Sequence, residues 1–338
     1  MKTYQITKEY SVASLSLVET DRPIILANQV LIKINAVSLN YRDLLVVKGI
    51  ADWRPPIGRI PVSDGVGTII EVGENVTAVN LNDRVAGLFF PNWIDGPMTM
   101  EKLVNPLGGR VRDGLLQEYV VLNENEVVTV PAFLTDEEAA TLPCAALTAW
   151  HSLMEKGKIQ PGNTVLIQGT GGVSLFSTQF ALMAGAKVIL LSGSDDKLQM
   201  ARQMGVQHLI NYKHLQNWQD EVSNITNGKG VDHIVEVVGG DNINKSIDAI
   251  ALDGTISIIG LINGLKGNLD TAKIMSKQIK LQGINVGSKE MFVRMNKAIE
   301  TANLHPVIGG IFEFAKVKEA LTKIEQSSHY GKICISYK

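Results

Sequence analysis

The feature that most constrains this chain is a glycine-rich turn between a strand pattern and a helix pattern. Thr164 to Gln168 form an apolar, β-rich run, the turn Gly169-Thr170-Gly171-Gly172 follows, and Val173 to Ala184 are mostly apolar. A strand, a tight glycine turn and a helix in this order form the context that a dinucleotide-binding fingerprint requires. An α/β fold around this turn is therefore expected.

The alternation of strands and helices continues from about residue 145. Apolar strand runs are predicted at 187–191, 231–237, 254–259 and 279–286, with helices at 197–204 and 243–251. Uninterrupted apolar runs suit strands that are covered on both faces. The pattern predicts a doubly wound parallel sheet of the Rossmann type.

The first 140 or so residues follow a different pattern, with short β-rich runs separated by Gly, Pro, Asn and Asp. These runs lie at 30–34, 67–72, 84–88 and 118–122, and a final helix and strand are predicted at 316–325 and 332–336. At roughly 150 residues per domain, a chain of 338 residues fits two domains. We predict a β-rich domain from residues 1–144 and 289–338, and a dinucleotide-binding domain from residues 145–288.

Charge and cysteine content exclude several classes of partner and site. The 32 Lys and Arg against 34 Asp and Glu supply no overall field that would attract nucleic acid or an anionic membrane. The two cysteines, Cys144 and Cys334, form neither a disulfide framework nor a four-cysteine zinc site. The amino terminus lacks an apolar signal stretch, and no apolar run approaches the ~20 residues that span a bilayer. We expect a cytoplasmic protein without nucleic-acid or membrane partners.

The glycine turn suits a pyrophosphate. Gly169 allows the tight turn, Gly171 lets the backbone approach a phosphate, and the free N–H groups at the start of the helix favour an anion. Ser174, a small residue, occupies the third fingerprint position and still allows close packing. A purely structural glycine turn is the alternative, but the surrounding strand and helix order favours cofactor binding. The predicted contacts are Gly169, Thr170, Gly171, Gly172 and Val173.

The end of the next strand indicates which cofactor is bound. NAD enzymes place an acid about 20 residues after the fingerprint, where it binds the ribose 2′-OH. Ser192 occupies that place here, and Ser194 and Lys197 follow it. Hydroxyls and an ammonium hold a 2′-phosphate, which a carboxylate would repel. The sequence therefore favours NADP(H) over NAD(H), with Asp195 or Asp196 as an alternative ribose ligand or helix cap.

Further motifs occur in a fixed order along the chain. They are Asn40-Tyr41-Arg42-Asp43 with Gly49, Ser63-Asp64-Gly65-Val66-Gly67, the run from Leu142 to Trp150, the Gly-Thr-Gly-Gly-Val loop and the run from Gln282 to Ser288. Together they resemble the medium-chain dehydrogenase/reductases, and specifically their zinc-independent, quinone-oxidoreductase-like branch. The resemblance implies a GroES-like catalytic domain, to which the carboxy-terminal tail returns, and a Rossmann domain. It also implies a homodimer whose Rossmann sheets join edge to edge.

The resemblance also implies that zinc is absent. Zinc-dependent relatives bind the catalytic metal through a Cys, a His and a second Cys. Asn40 and Ser63 occupy the first two places here, and Cys144 alone is retained. A single thiolate does not supply the three protein ligands that a catalytic zinc requires, and residues 91–114, which correspond to the structural zinc lobe, contain no Cys.

Further site residues are implied by the resemblance. Asn40 and Asp43 would border the nicotinamide, and Thr148, Gly260, Leu261, Asn285 and Val286 would lie near the cofactor. A capping role for Asn40 and an ion pair of Asp43 with Arg42 are the alternatives. Tyr41 and Trp53 are candidates to stack on a planar substrate, although aromatic side chains commonly belong to the core.

Three residues have two interpretations each. Tyr212 either flanks the 2′-phosphate or closes the third strand of the sheet. Lys332 either reaches a cofactor phosphate or faces solvent from the last strand. Cys144 is a small buried apolar residue or a nucleophile, and the sequence places no partner base beside it.

These observations predict a metal-free, NADPH-dependent reductase of a small molecule. Without a metal to polarise an oxygen, quinones and enones are better hydride acceptors than simple ketones, because they delocalise the charge. The alternatives are a metal-free NAD(P)-dependent alcohol dehydrogenase and a protein that binds NADPH without catalysis.

Overall fold

A computed structural model describes residues 1–338, and the backbone forms two compact units. The first unit comprises Met1–Leu147 and Val286–Lys338, and the second comprises Thr148–Asn285. The sequence-based boundaries lie at 144/145 and 288/289. Val286, which was assigned to the dinucleotide-binding domain, therefore lies in the first unit.

Fifteen strands are present. They are β1 (Lys2–Ile6), β2 (Leu15–Glu19), β3 (Gln29–Leu39), β4 (Asp64–Val72), β5 (Arg84–Gly87), β6 (Tyr119–Asn123), β7 (Val127–Thr129), β8 (Thr164–Gln168), β9 (Lys187–Ser192), β10 (His208–Asn211), β11 (Val231–Glu236), β12 (Ile250–Ile258), β13 (Lys280–Gly283), β14 (Ile308–Glu313) and β15 (Lys332–Ser336).

Eleven α-helices connect them. They are α1 (Tyr41–Val47), α2 (Met100–Leu103), α3 (Asp136–Ala139), α4 (Leu147–Trp150), α5 (Gly172–Met183), α6 (Asp195–Gln203), α7 (Trp218–Ile225), α8 (Ile243–Ala249), α9 (Thr271–Lys277), α10 (Lys289–Ala302) and α11 (Val317–Glu325). The π-helical segments Leu142–Ala146 and His151–Lys156 flank α4. None of the helices combines the length and apolar character needed to cross a membrane.

The first unit is built on a seven-stranded, mostly antiparallel sheet. Its order is β14-β15-β3-β4-β5-β7, and β6 also pairs with β3. The eleven-residue strand β3 is the centre of this sheet because β15, β4 and β6 all pair with it. The carboxy-terminal strand β15 lies antiparallel to the end of β3, so the tail returns to the first unit as predicted.

The second unit is a six-stranded parallel sheet in the order β10-β9-β8-β11-β12-β13. This is the order 3-2-1-4-5-6 of a doubly wound dinucleotide-binding fold. Helices cover the sheet, and Ile189, Leu166, Ile234 and Ile256 are fully buried. The predicted α/β fold, with a Rossmann sheet and a β-rich GroES-like domain, is confirmed.

The strand order reverses between β8 and β11. In folds of this kind, ligands bind outside the carboxyl ends of the strands at that reversal. The glycine turn follows β8 directly, and Glu236 ends β11. The fold thus places both segments at the carboxyl ends of neighbouring parallel strands.

The second unit also contains a buried histidine, His233, within strand β11. His233 on β11 is 1% exposed, and its Nε2 lies 3.2 Å from Ser152 Oγ and 3.1 Å from Ser257 Oγ. Its Nδ1 has no hydrogen-bond partner. Burial lowers the pKa of His233 to about 4, so the imidazole is neutral in the folded protein at neutral pH.

Because of His233, the free energy of unfolding should decrease as the pH falls. In the unfolded chain, the imidazole protonates as pH falls through about 6.5, whereas the folded protein resists protonation down to about pH 4. Its contribution is therefore fully present above pH 6.5 and falls by roughly 3 kcal/mol between pH 6.5 and 4. Urea unfolding at pH 7.5, 5.5 and 4.5 should show wild type losing stability relative to His233→Gln.

The comparison between the two proteins is essential, because Asp64 has the opposite effect in part of the same range. Burial raises the pKa of Asp64 to about 6, so its protonation favours the folded state as pH falls. That contribution is common to wild type and His233→Gln and cancels in their difference. A difference that does not change with pH would contradict the assignment.

Candidate functional site

The second unit holds an open cradle at the glycine turn. Gly169 adopts a left-handed backbone with φ of +77°, which favours glycine. A Cβ on Gly171 would meet no atom within 4 Å, so the space above the turn is open. Gly171 caps α5 without a side chain, and the first N–H groups of this twelve-residue helix lie at the turn. The Ser174 hydroxyl donates to Gln168 O at 2.7 Å and joins helix to strand.

A pyrophosphate fits this cradle. The close approach at Gly171, the N–H donors and the positive end of the helix dipole together suit an anion. Thr170 is 6% exposed, while Gly172 and Val173 begin α5. The five residues predicted from the fingerprint therefore form the turn after β8 and the start of α5.

A second cluster lies at the end of β9. Ser192 Oγ accepts from Ser194 N at 3.3 Å, and Ser194 Oγ accepts from Lys197 N at 3.4 Å. Tyr212 is 44% exposed, and its hydroxyl would lie 2.7 Å from a Cβ on Gly193. Tyr212 thus lies beside the turn that follows Ser192.

The sequence analysis missed a second lysine at this place. Lys213 Cε would lie 3.0 Å from the same Cβ on Gly193. Partial burial lowers the pKa of Lys197, and the charge of Lys213 lowers it further. Two ammonium groups thus influence one another beside Ser192. The signal was the position of Lys213 directly after Tyr212 at the end of β10.

Asp195, the alternative ribose ligand, is engaged elsewhere. Its Oδ1 accepts from Asn211 Nδ2 at 2.7 Å, and His214 Nε2 lies 3.9 Å from Oδ2. Both Asp195 and Asp196 begin α6, where acids interact favourably with the helix dipole.

The other predicted cofactor residues are distributed between the units. Thr148 is 4% exposed, Leu261 is 40% exposed, and a Cβ on Gly260 would lie only 1.8 Å from Val237 O. Asn285 is exposed at the end of the second unit, and Val286 is buried in the first. The structure thus brings together the residues of the glycine turn and, separately, those around Ser192.

The first unit contains a buried polar cluster where β3 ends and α1 begins. Lys332, 3% exposed, donates from Nζ to Leu39 O at 2.6 Å and to Asn40 Oδ1 at 2.5 Å. The interpretation that Lys332 faces solvent is wrong, because β15 lies against β3 and directs this side chain into the unit. Its ammonium is bonded to Leu39 and Asn40 inside the first unit and is not exposed on the surface.

Asp43 anchors the start of α1. Its Oδ2 accepts from Asn40 N at 2.8 Å, and its Oδ1 accepts from Arg42 Nη1 at 3.1 Å and Ser63 N at 3.3 Å. Arg42 also donates to Leu107 O at 3.0 Å. Asp43 is completely buried, and its ion pair with Arg42 is present. Asn40 occupies the N-cap position of α1, but its side chain makes no capping bond and instead accepts from Lys332.

Asp64 is the second buried carboxylate of the cluster. Its Oδ1 accepts from Ser63 Oγ at 2.8 Å, and its Oδ2 accepts from Cys144 N at 3.0 Å. Burial raises the pKa of Asp64 to about 6 and Asp43 adds to this effect, while Lys332 opposes it. Sequence reasoning quoted Asp64 within a motif but gave it no role.

The aromatic candidates differ in exposure. Tyr41, the first residue of α1, is 47% exposed. Trp53 is partly buried and packs against the hydrophobic core of the first unit. Tyr41 is therefore available for stacking, whereas Trp53 contributes to the core.

Two family descriptions match this chain. The alcohol dehydrogenase GroES-like domain matches residues 26–132, and zinc-binding dehydrogenase matches residues 172–301. A zinc-type alcohol dehydrogenase-like protein of Schizosaccharomyces pombe is 42% identical over 313 residues, 91% of this chain and 90% of that protein. This chain belongs to the medium-chain dehydrogenase/reductase family.

Other members of the family support an oxidoreductase. The crystal structure of a putative alcohol dehydrogenase from Sinorhizobium meliloti 1021 superposes with a TM-score of 0.93 at 38% identity, covering 100% of this chain and 99% of that one. The quinone oxidoreductase-like protein 2 of Rattus norvegicus is 26% identical over 322 residues, 92% of this chain and 85% of that protein. The protein is an NAD(P)-dependent oxidoreductase of this family.

The polar cluster does not fit the zinc that one matching description names. Asn40 Oδ1 is bonded to an ammonium, which would repel a divalent cation. Burial and then the Asp64 carboxylate raise the pKa of the Cys144 thiol, which opposes the thiolate that zinc requires. No group of three or more His, Cys, Asp or Glu side chains is placed to hold a metal ion.

A bulky side chain at Gly171 should block the cradle without disturbing the fold. The space around Gly171 is open and its backbone angles suit any residue, so Gly171→Val should fold normally. We expect a melting temperature lowered by only a few degrees, because valine is a poorer N-cap than glycine, and an affinity for both NADPH and NADH that is lower by about tenfold or more, equivalent to ~1.4 kcal/mol. Fluorescence titration measures the affinity.

Gly283→Val is the matched control, because a Cβ there also meets no atom within 4 Å. It should bind both dinucleotides like wild type. Normal binding by Gly171→Val would show that the cofactor does not use this turn.

Proposed function

We propose that this protein is an NADPH-dependent reductase of quinones or other conjugated carbonyls, and that it works without a metal. The observation that carries the proposal is the bond between the Lys332 ammonium and Asn40 Oδ1. It occupies the place where zinc-dependent relatives hold the first metal ligand. The cluster around this bond also contains the Ser63 hydroxyl, the Cys144 thiol and the buried carboxylates of Asp43 and Asp64, and none of these groups is a Lewis acid.

This set of groups favours an acceptor that stabilises its own negative charge. A bound reduced nicotinamide supplies a hydride with its two electrons. A quinone or enone that accepts the hydride at carbon shifts an electron pair onto its carbonyl oxygen, so no Lewis acid has to polarise that oxygen beforehand. Water or a hydroxyl then supplies the proton. The residues of the first unit would bind and orient the acceptor, with exposed Tyr41 as a stacking surface.

The preference for NADPH is supported by charge around Ser192. Lys213 lies beside the turn at Gly193, and its charge acts on the ammonium of Lys197, so two cations are available where a 2′-phosphate would bring negative charge. Asp195, which would repel that phosphate, is bonded to Asn211. The two cations favour the phosphorylated ribose, and the bond to Asn211 occupies one oxygen of the acid that would otherwise accept from a ribose hydroxyl.

A metal-free alcohol dehydrogenase is the second candidate. It is favoured by the names of the relatives from Schizosaccharomyces pombe and Sinorhizobium meliloti, both described as alcohol dehydrogenases or similar to them. This candidate would oxidise simple alcohols with NADP⁺, which separates it from a reductase of conjugated carbonyls.

The decisive experiment titrates the purified protein with NADPH and NADH and then adds acceptors in the same cuvette. We expect NADPH to bind more tightly and to be consumed on addition of 1,4-benzoquinone, 9,10-phenanthrenequinone or a simple enone. Faster oxidation of ethanol or 2-propanol with NADP⁺ would favour the alcohol dehydrogenase. Binding without turnover of any acceptor would indicate a non-catalytic NADPH-binding protein.

Two variants test the cofactor assignment in the same assay. Ser192→Asp places a carboxylate at the expected 2′-phosphate and should weaken NADPH binding by roughly tenfold or more, without loss of NADH affinity. Lys213→Met should also weaken only NADPH. Equal effects of each variant on both cofactors would mean that the 2′-phosphate lies elsewhere.

A further inference from the structure

Glu236, at the end of β11, is a buried carboxylate saturated by donors. It is completely buried, and five groups donate to its two oxygens. They are Val238 N and Gly239 N at 3.0 Å each, Gln168 Nε2 at 2.7 Å, Ser246 Oγ at 2.5 Å and Asn242 Nδ2 at 3.2 Å. A buried carboxylate is tolerated only with such partners, and removing them leaves an unpaired charge.

These bonds join the two sides of the strand reversal. Gln168 is the last residue of β8 and immediately precedes Gly169, whereas Val238 and Gly239 form the turn after β11. The Glu236 side chain therefore fixes the glycine turn after β8 relative to the turn after β11. Sequence reasoning placed Glu236 inside the strand predicted over 231–237 and gave it no role.

The same residue also fixes the third loop of the crevice. The main-chain oxygen of Glu236 accepts from Ile259 N at 2.9 Å and from Gly260 N at 3.2 Å. A Cβ on Gly239 would lie 2.8 Å from Gly260 O, so the turns after β11 and β12 are in close contact. Movement of the Gly239 turn would therefore displace Gly260 and Leu261.

The strand order indicates which half of the cofactor these loops serve. In a fold of order 3-2-1-4-5-6, each half of the sheet binds one mononucleotide. Ser192 is the last residue of β9, in the half proposed to hold the adenosine ribose. The loops fixed by Glu236 follow β11 and β12, in the half that remains for the nicotinamide mononucleotide.

We propose that Glu236 is a positioning residue for the nicotinamide half of the cofactor, acting through Gln168 and the Gly239 turn. The inference rests on the proposed function only in that a nicotinamide dinucleotide is bound, and it holds for NADPH and NADH alike. It predicts separate effects on the two halves of the cofactor, which general destabilisation would not produce.

The test compares a whole dinucleotide with its adenosine half. Glu236→Gln keeps the shape but turns an amide N–H₂ toward groups that are themselves donors. We expect NADPH to bind about tenfold more weakly, 2′,5′-ADP to bind as in wild type, and hydride transfer at saturating NADPH to fall by on the order of 10²-fold. Titration and single-turnover absorbance at 340 nm measure these quantities.

Gln168→Leu is the second variant in case Glu236→Gln does not fold. It removes the side-chain bonds of Gln168 to Glu236, Ser246 and Asn242 but leaves the other four donors to Glu236 in place, and it should produce the same pattern at smaller amplitude. Glu126→Gln is the matched control, since Glu126 is also a buried carboxylate, bonded to Arg112 in the first unit. It should lower the melting temperature without changing either affinity.

Three outcomes separate the two proposals. Equal weakening of NADPH and 2′,5′-ADP, or unchanged binding and hydride transfer in folded variants, would overturn the role of Glu236. Weaker binding of the dinucleotide alone would support the role of Glu236. This holds whether the titrated dinucleotide is NADPH or NADH. Failure of wild type to reduce any acceptor would contradict the proposed function, while the affinities would still decide the role of Glu236.

Discussion

The first unit depends on the burial of one ammonium. Lys332 lies 293 positions from Leu39 in the sequence, yet its Nζ donates to the carbonyl of that residue. Buried charges require charged or hydrogen-bonding partners. The pairing of β15 with β3 supplies them, because it brings Lys332 to Asn40 and near the carboxylate of Asp64. The end of the chain thus completes the polar cluster.

The second unit also contains a buried charged group. There the buried charge is a carboxylate, Glu236, and its partners are neutral groups from adjacent loops and α8. Both clusters lie at strand ends, where the sheet no longer pairs the backbone. In each unit a buried charge therefore orders loops that the sheet alone would leave unconstrained.

Local patterns in the sequence predicted much of the fold. The turn at Gly169, the apolar strands and the position of Ser192 follow from spacing within about thirty residues, and the structure contains each of these elements. Helices α7 and α10 and strand β14 were missed because none of them contains a long continuous apolar run. The family could be identified because its motifs are themselves short.

Much of the candidate site could not be predicted in the same way. The contact of Lys332 with Asn40 depends on strand pairing across the whole chain, which no local pattern specifies. Lys213 reaches the turn at Gly193 because β10 lies beside β9. Glu236 lay within a predicted strand, and its bond to Gln168 depends on the pairing of β8 with β11. Long-range pairing creates these sites, and single-sequence patterns contain little information about it.

The proposed chemistry depends on the cluster around Lys332 taking the place of a metal. The most direct measurement is the zinc content of the purified protein by mass spectrometry, together with quinone reduction before and after dialysis against a chelator. The account predicts far less than one zinc per chain and an unchanged rate. About one zinc per chain, with activity that is lost on chelation and restored by added zinc, would contradict it.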